Sequence, residues 1–403
     1  MIRTKNPYIG SSFSFCLQSS KGFELNDYVK YNEYAKTKEE SIMLFKDYDP
    51  LKKKQFQILD AKGQIVKPEL EPKLSKETLL KMYKTMALGR VADIKALQYQ
   101  RQGRMLTYPP NRGQEAAQVG AMAALEPQDW LSPAFRELNA MLYRGVKLEQ
   151  IYLYWYGNEW GNHFDEDVRV LPVNVIIGSQ VNHAAGLAYA SKVLKKNEVA
   201  VATIGDGGTS HGEFYEGLNF ASSYNAPLVV VIQNNQWAIS TPRAKATKAE
   251  TLAQKSYAFG IPGIQVDGND ILAMYVATKE AVDYARAGNG PVLIEAVTYR
   301  LGAHTTSDDP TIYRKDEEVQ EWEKKDPMIR FKKYLIDKGY WTEAEDKALE
   351  EENNTYVGET FKKVEATGLE TLEDIFKYTY KEMTPQLTEQ YEYMKKYLEE
   401  GGK

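Results

Sequence analysis

The sequence predicts an α/β fold, a doubly wound, mostly parallel sheet with helical N- and C-terminal extensions. Three observations point there. Four short, largely apolar runs lie between residues 199 and 297. Amphipathic stretches separate them. The first two runs stop abruptly at polar turns, Gly205-Asp206-Gly207 and Asn234-Asn235. Largely apolar runs suit strands covered on both faces. Sheets of that kind hold ligands beyond the carboxyl ends of their strands.

Taken in order, residues 1–74 read as a polar, irregular N-terminal arm with a basic run at Lys52-Lys53-Lys54. From Ser75 a helical period begins, with Leu79, Met82, Tyr83, Met86 and Ile94 at spacings of three and four. It runs to about Gln102, where Gly103 ends it. A proline loop, Tyr108-Pro109-Pro110, precedes Gly113-Gln114-Glu115-Ala116-Ala117, which opens a second helix. The strand runs are Val199–Ile204, Leu228–Ile232, Ile264–Val266 and Val292–Val297. Helices are expected at His183–Lys195, at Gly212–Tyr224 with Phe214, Leu218 and Ala221 on one side, and at Ile271–Ala287. The α/β domain thus covers 75–325. A charged helical extension, expected to be solvated, covers 326–403.

Composition excludes several classes. Of 403 residues, 43% are hydrophobic and 27% charged, which suits a globular chain rather than a disordered one. No apolar run approaches the roughly 18–20 residues that span a bilayer. Fifty-one basic against 56 acidic residues leave a net charge of −5, a poor balance for coating nucleic acid. The single cysteine, Cys16, forbids an internal disulfide, a cysteine zinc site or an iron–sulfur cluster. The four histidines, His163, His183, His211 and His304, have no HxxxH spacing. Any metal must be held mainly by oxygen. Ser11, Ser12 and Ser14 interrupt what a secretory signal keeps apolar. A cytoplasmic protein is expected, with a mitochondrial transit segment as the alternative.

Gly205-Asp206-Gly207-Gly208 stands at a strand-to-helix turn, where glycine lets a ligand approach backbone N–H groups and the next helix favours an anion. A phosphate beside Asp206 needs a cation between them, so the turn suggests diphosphate plus Mg²⁺ with Asp206 as a hard ligand. A dinucleotide fingerprint fits poorly, since Ser210 stands where its third glycine belongs. At the end of the next strand, Asn235 can add a side-chain oxygen, and the Trp237 carbonyl is a natural further ligand.

GDG followed by NN after Gln233 resembles the thiamine-diphosphate motif. The wider chain, from about residue 76 to 385, resembles the alpha subunits of thiamine-diphosphate-dependent 2-oxo acid dehydrogenase E1 components. The resemblance includes Gly113-Gln-Glu-Ala, Gly178-Ser-Gln, Asn234-Asn-Gln-Trp-Ala-Ile-Ser-Thr-Pro and His304-Thr-Thr-Ser-Asp-Asp-Pro-Thr-Ile-Tyr-Arg314. Within that family it most resembles bacterial pyruvate dehydrogenase alpha chains, with branched-chain 2-oxo acid dehydrogenase alpha chains as the alternative. A split transketolase and a non-catalytic paralogue are weaker alternatives.

The resemblance implies a thiamine-diphosphate-binding fold and assigns roles by position. Asp206, Asn235 and the Trp237 carbonyl match Mg²⁺ ligands. Gly207, Gly208 and Arg136 match diphosphate contacts, and the backbone near Val175 and Ile177 matches the segment that holds the aminopyrimidine. Phe135 stands where the family usually has tyrosine, which removes a hydroxyl. His304, on a loop expected to be mobile, matches a residue that touches cofactor or substrate and transfers a proton. The implied partners are an E1 beta subunit, in an α2β2 heterotetramer that supplies the activating glutamate, and the lipoyl-bearing E2 component. His183 is expected to cap or pack, His211 to lie on the rim, and Trp155 and Trp160 to serve core or interface; His163 and Cys16 carry no expected role.

Overall fold

The structure, a computed structural model, describes residues 43–402. The chain divides into two units, Met1–Asp47 and Tyr48–Lys403. The described part of the first is one short helix, Met43–Asp47. Cys16 and residues 1–42 of the arm lie outside the described residues.

The strands of the second unit are β1 (Trp130–Ser132), β2 (Ala200–Gly205), β3 (Leu228–Asn234), β4 (Trp237–Ala238), β5 (Thr241–Pro242), β6 (Gly263–Asp267) and β7 (Val292–Val297). Five form one sheet in the order β1-β2-β3-β7-β6, every neighbouring pair parallel. The four apolar runs are β2, β3, β6 and β7. β1 has three residues and no apolar run to announce it. β4 and β5 make a separate antiparallel pair.

The sheet is buried on both faces, as its sequence requires. Ala202, Ile204, Val230 and Ile232 pack with Val181, Ala184, Phe214 and Leu218 from the helices Ser179–Val193 and Gly212–Ser223. The alternate residues Val201, Val229, Val231 and Ile294 point the other way and are equally buried. The helix Ile271–Tyr284 packs against β3, β7 and the helix Glu115–Ala123 on that side. Each fully buried Val, Leu or Ile side chain is worth about 1.5–3 kcal/mol over the exposed state.

The helix Lys76–Arg101 begins where Ser75 Oγ accepts the Thr78 amide at 3.2 Å. It buries Leu79, Met82, Tyr83 and Met86, but Ile94 is 44% exposed and does not share their face. The helix predicted from His183 starts earlier, at Ser179, after Gly178 takes a φ of 101°. His183 therefore sits in its second turn and is exposed, neither capping nor packed.

Part of the arm is tightly bound to the sheet edge. Phe56 pairs with Val266, donating to Gln265 O at 2.8 Å and accepting from the Asp267 amide at 2.9 Å. Phe56, Ile58 and Leu59 are fully buried. The Asp270 carboxylate caps the helix Ile271–Tyr284 through the Leu272 and Ala273 amides and also takes the Ile58 and Leu59 amides at 2.6 Å. Apolar residues scattered among polar ones give no period, so this docking leaves no pattern to read.

The C-terminal extension departs from the expected solvated tail. In the helix Pro327–Asp337, Arg330 is 2% exposed. It donates to Leu59 O, to Asp60 O at 2.6 Å and to Asp267 Oδ2 at 2.8 Å. In the helix Glu343–Thr367, Phe361 stacks on Tyr99 with centroids 3.7 Å apart. Two later helices, Leu372–Lys377 and Pro385–Glu399, bury nothing. Among the described residues no helix is long and apolar enough to cross a membrane.

Candidate active site

The carboxyl ends of β1, β2 and β3 open onto a cavity of about 480 Å³. After β1 the chain contributes Phe135, Arg136 and Glu137; after β2, Asp206, Gly207 and Gly208; at and after β3, Gln233 and Asn235. Val175, Ile177, Trp237 and His304 complete its wall. Every site residue expected from the sequence lines this one space.

The glycine turn is built for close approach. A Cβ on Gly207 would stand 2.5 Å from Ala238 Cβ, and one on Gly208 would stand 2.5 Å from Ile204 Cγ1. Neither has a positive φ, so the requirement is space rather than left-handed geometry. Thr209 closes the turn onto Asp206 O through its amide (3.2 Å) and hydroxyl (2.7 Å). Lys255 Nζ holds Thr209 O at 2.6 Å from behind.

Asp206 is 3% exposed, and its Oδ2 is buried without a hydrogen-bond partner. Burial pushes its carboxyl up to about 6, against the pull of Arg300. An unpartnered acidic oxygen in such a place fits a hard cation. Asn235 Oδ1 accepts the Trp237 amide at 3.2 Å and keeps a second lone pair. The Trp237 carbonyl takes a 3.2 Å bond from Arg300 Nη1, so the third expected ligand already has one partner. Among the described residues no group of three His, Cys, Asp or Glu side chains could hold a metal. A cation here relies on one carboxylate with amide and main-chain oxygens, and the set fits Mg²⁺.

Opposite the acid stand two guanidiniums. Arg136 is 6% exposed and Arg300 1%. Arg136 Nη1 donates to Pro110 O, and its Nη2 reaches His304 O at 2.8 Å and His304 Nδ1 at 3.2 Å. Arg300 Nη1 comes within 3.3 Å of the same Nδ1. A guanidinium only donates, so Nδ1 is the acceptor and the imidazole proton is on Nε2. Burial, then the charges of Arg136 and Arg300, bring the His304 imidazole down to about 4. Burial and Arg300 likewise lower Arg136, to about 10. Two adjacent buried cations make a strong anion site. Arg300 was not singled out from the sequence; its position four residues before His304 was the available signal.

The His304 loop is pinned, which differs from the mobile segment expected from its composition. Asp308 Oδ2 accepts the His304 amide at 2.7 Å and the Tyr313 hydroxyl at 2.5 Å. Arg314 Nη1 donates to Arg300 O at 2.5 Å. A polar composition of Gly, Ser, Thr and Asp says nothing of such side-chain anchors.

The remaining expected residues take varied places. Val175 lines the cavity and is 52% exposed. Phe135 meets the His304 ring edge-on, centroids 6.2 Å apart. His211 lines the exposed rim, and Trp155 faces the cavity as well as Tyr108. Trp160 is 44% exposed and meets His163 edge-on. Sequence reasoning missed a buried polar group in and behind the cavity wall: Gln114, Gln233 and Glu137 line it, and Gln118 adjoins Gln233. Burial pushes the Glu137 carboxyl up to about 7, and its Oε2 has no partner.

Comparison with known proteins agrees with this geometry. Residues 83–373 match the family model described as "Dehydrogenase E1 component". The chain is 69% identical over 342 residues to the pyruvate dehydrogenase E1 component subunit alpha of Acholeplasma laidlawii, covering 84% of this chain and 99% of that protein. It is 47% identical over 340 residues to the protein of the same name from Staphylococcus aureus strain Mu50, and 46% identical to that of Staphylococcus epidermidis. Each match covers 84% of this chain and 92% of the relative.

Proposed function

The chain belongs to the dehydrogenase E1 component family, and we propose that it is the alpha subunit of a pyruvate dehydrogenase E1. In this reading it binds thiamine diphosphate with Mg²⁺ and works with a beta subunit in an α2β2 enzyme that acetylates a lipoyl group of E2. The names of the relatives support pyruvate over a branched-chain 2-oxo acid. The observation that carries the reading is the pairing, in one cavity, of the unpartnered Asp206 Oδ2 with the Arg136 guanidinium, which shares His304 Nδ1 with the buried Arg300.

When bound, thiamine diphosphate supplies the nucleophilic carbon and the electron sink that decarboxylation of a 2-oxo acid needs. The residues of this chain have simpler tasks. Asp206, Asn235 and the Trp237 carbonyl would hold Mg²⁺. The Gly207–Gly208 backbone and Arg136 would hold the diphosphate, with the charge of buried Arg300 nearby, and the main chain at Val175–Ile177 the aminopyrimidine. His304, held neutral with its proton on Nε2, can donate a hydrogen bond or a proton into the cavity. The beta chain would bring the carboxylate that activates the aminopyrimidine, and a cytoplasmic location goes with this assignment.

The test is co-expression with the cognate beta chain, then assay with thiamine diphosphate, Mg²⁺ and a lipoyl domain. Pyruvate should be turned over well above 2-oxoisovalerate. A preference for 2-oxoisovalerate would transfer the chain to the branched-chain enzymes. Robust CO₂ release from pyruvate by the isolated chain would remove the need for a beta partner.

A further inference from the structure

In the wall of the cavity, four side chains form a hydrogen-bonded series with a single direction. Asn235 Nδ2 donates to Gln114 Oε1 at 2.7 Å. Gln114 Nε2 donates to Gln233 Oε1 at 2.9 Å, and Gln233 Nε2 donates to Glu137 Oε1 at 2.6 Å. All are at most 6% exposed. A side branch enters at Gln233: Gln118 Nε2 donates to the same Gln233 Oε1 at 3.1 Å. Gln118 Oε1 in turn accepts the Asn139 and Ala140 amides at 3.0 and 3.3 Å.

Direction matters because a side-chain amide is nearly symmetric in shape. Asn235 flipped by half a turn would occupy the same volume but present an NH₂ group where a cation needs oxygen. Something must select the flip. Main-chain N–H groups can only donate, so Gln118 must turn its oxygen to Asn139 and Ala140 and its nitrogen to Gln233. Gln233 then presents oxygen to both Gln118 and Gln114, and its nitrogen finds the Glu137 carboxyl. Gln114 is left with nitrogen toward Gln233 and oxygen toward Asn235. Asn235 must spend its nitrogen on Gln114, and the Trp237 amide, 3.2 Å from Oδ1, favours the same flip from the loop side, so the second lone pair of Oδ1 is left for the site. The two ends of the series, a carboxyl and a pair of backbone amides, impose the same direction.

We propose that Gln114, oriented through Gln233 by Glu137 and Gln118, is a positioning residue that sets the flip of Asn235 and so presents its Oδ1 to the divalent cation. This rests on the cation-binding role proposed for Asn235. Partners one step behind a metal ligand commonly govern affinity by about 10–100-fold.

The test uses the chain co-expressed with its beta partner, saturating thiamine diphosphate, and free Mn²⁺ followed by electron paramagnetic resonance. Gln114→Met, of similar volume but without an acceptor, should raise the Mn²⁺ dissociation constant about 10–100-fold. Gln114→Glu keeps the acceptor for Asn235 and, held protonated by burial and by Gln233 Oε1, the donor toward Gln233 as well, so it should bind Mn²⁺ more tightly than Gln114→Met. The melting temperature of each metal-free variant separates loss of orientation from loss of fold. Gln233→Met leaves Gln114 in place but removes what orients it, and should weaken Mn²⁺ in the same direction; it carries the test if Gln114→Met fails to assemble. Wild-type affinity in Gln114→Met or Gln233→Met, or equal weakening in Gln114→Met and Gln114→Glu, overturns the inference. Absence of cofactor-dependent Mn²⁺ binding in the wild type would instead remove the cation role on which it stands.

Discussion

Arg136 Nη2 lies 3.2 Å from His304 Nδ1, across 168 residues of sequence. The same nitrogen donates to the His304 carbonyl at 2.8 Å, so one guanidinium fixes both the ring and the backbone of the loop. With Arg300 on the other side, protonation of this imidazole would place a third positive charge among two. The cofactor-free site therefore keeps His304 neutral.

That arrangement predicts an unusual titration. In the cofactor-free protein His304 should remain neutral from pH 7 down to about 4, whereas an ordinary imidazole charges near 6.5. An unfolded chain takes up the proton near 6.5, so the contribution of His304 to stability is full above that value and is lost as pH falls toward 4. Binding a diphosphate beside Arg136 and Arg300 should raise the value, because the anion offsets their charge. Nitrogen-15 NMR of the imidazoles, with His304→Gln to assign the signal, reads both effects. A His304 midpoint near 6.5 without cofactor would contradict the arrangement.

Phe135 predicts a gain of function in binding. Its ring lines the cavity beside Arg136 and edge-on to His304, at the place where the resemblance leads one to expect tyrosine. Phe135→Tyr should add a hydroxyl contact to the bound diphosphate, worth about 0.5–1.5 kcal/mol. Calorimetry should show cofactor binding roughly 2–10-fold tighter, with the metal requirement unchanged. Weaker binding would mean that the hydroxyl finds no acceptor and is buried unpaired.

Much of this site was legible because its parts lie at sequence-local turns. Asp206, Asn235 and Trp237 follow apolar runs that could only be buried strands, and strand ends in a parallel sheet converge. Arg136 was legible only through resemblance, since β1 before it has three residues and no pattern. Arg300 offered only its place four residues before His304, and the Gln114–Gln233–Glu137 series offered no signal. The series arises from contacts across 96 to 121 residues, and glutamine carries no prior for a site. The docking of Phe56, Ile58 and Leu59 was hidden for the same reason.

That docking predicts where the arm detaches. The Asp270 carboxylate satisfies four backbone amides, two in its own helix and two at Ile58 and Leu59. Asp270→Ala loses a helix cap, about 0.5–2 kcal/mol, and strands buried N–H groups at about 1–3 kcal/mol each. The variant should melt well below wild type. Limited proteolysis should cut first near residues 51–55, which are exposed. Cleavage elsewhere, or an unchanged melting temperature, would mean that the apolar side chains alone hold the segment.

Gly207 predicts a steric defect that a second substitution repairs. Its backbone has no positive φ, so alanine is conformationally allowed; the obstacle is Ala238 Cβ, 2.5 Å from where the new methyl would stand. Ala238 pairs with Thr241 and directly follows Trp237. Relief of the clash must therefore move either the Asp206 turn or the strand that carries the Trp237 carbonyl. Such overpacking costs about 1–3 kcal/mol, here at the expense of the cation site. Gly207→Ala should weaken Mg²⁺-dependent cofactor binding by about 5–150-fold, that cost expressed as a ratio, while the protein stays folded. Ala238→Gly in the same chain removes the opposing methyl and should restore most of the loss, a coupling that independent sites do not show. If the double variant binds no better than Gly207→Ala, the glycine serves the bound diphosphate directly rather than making room for Ala238.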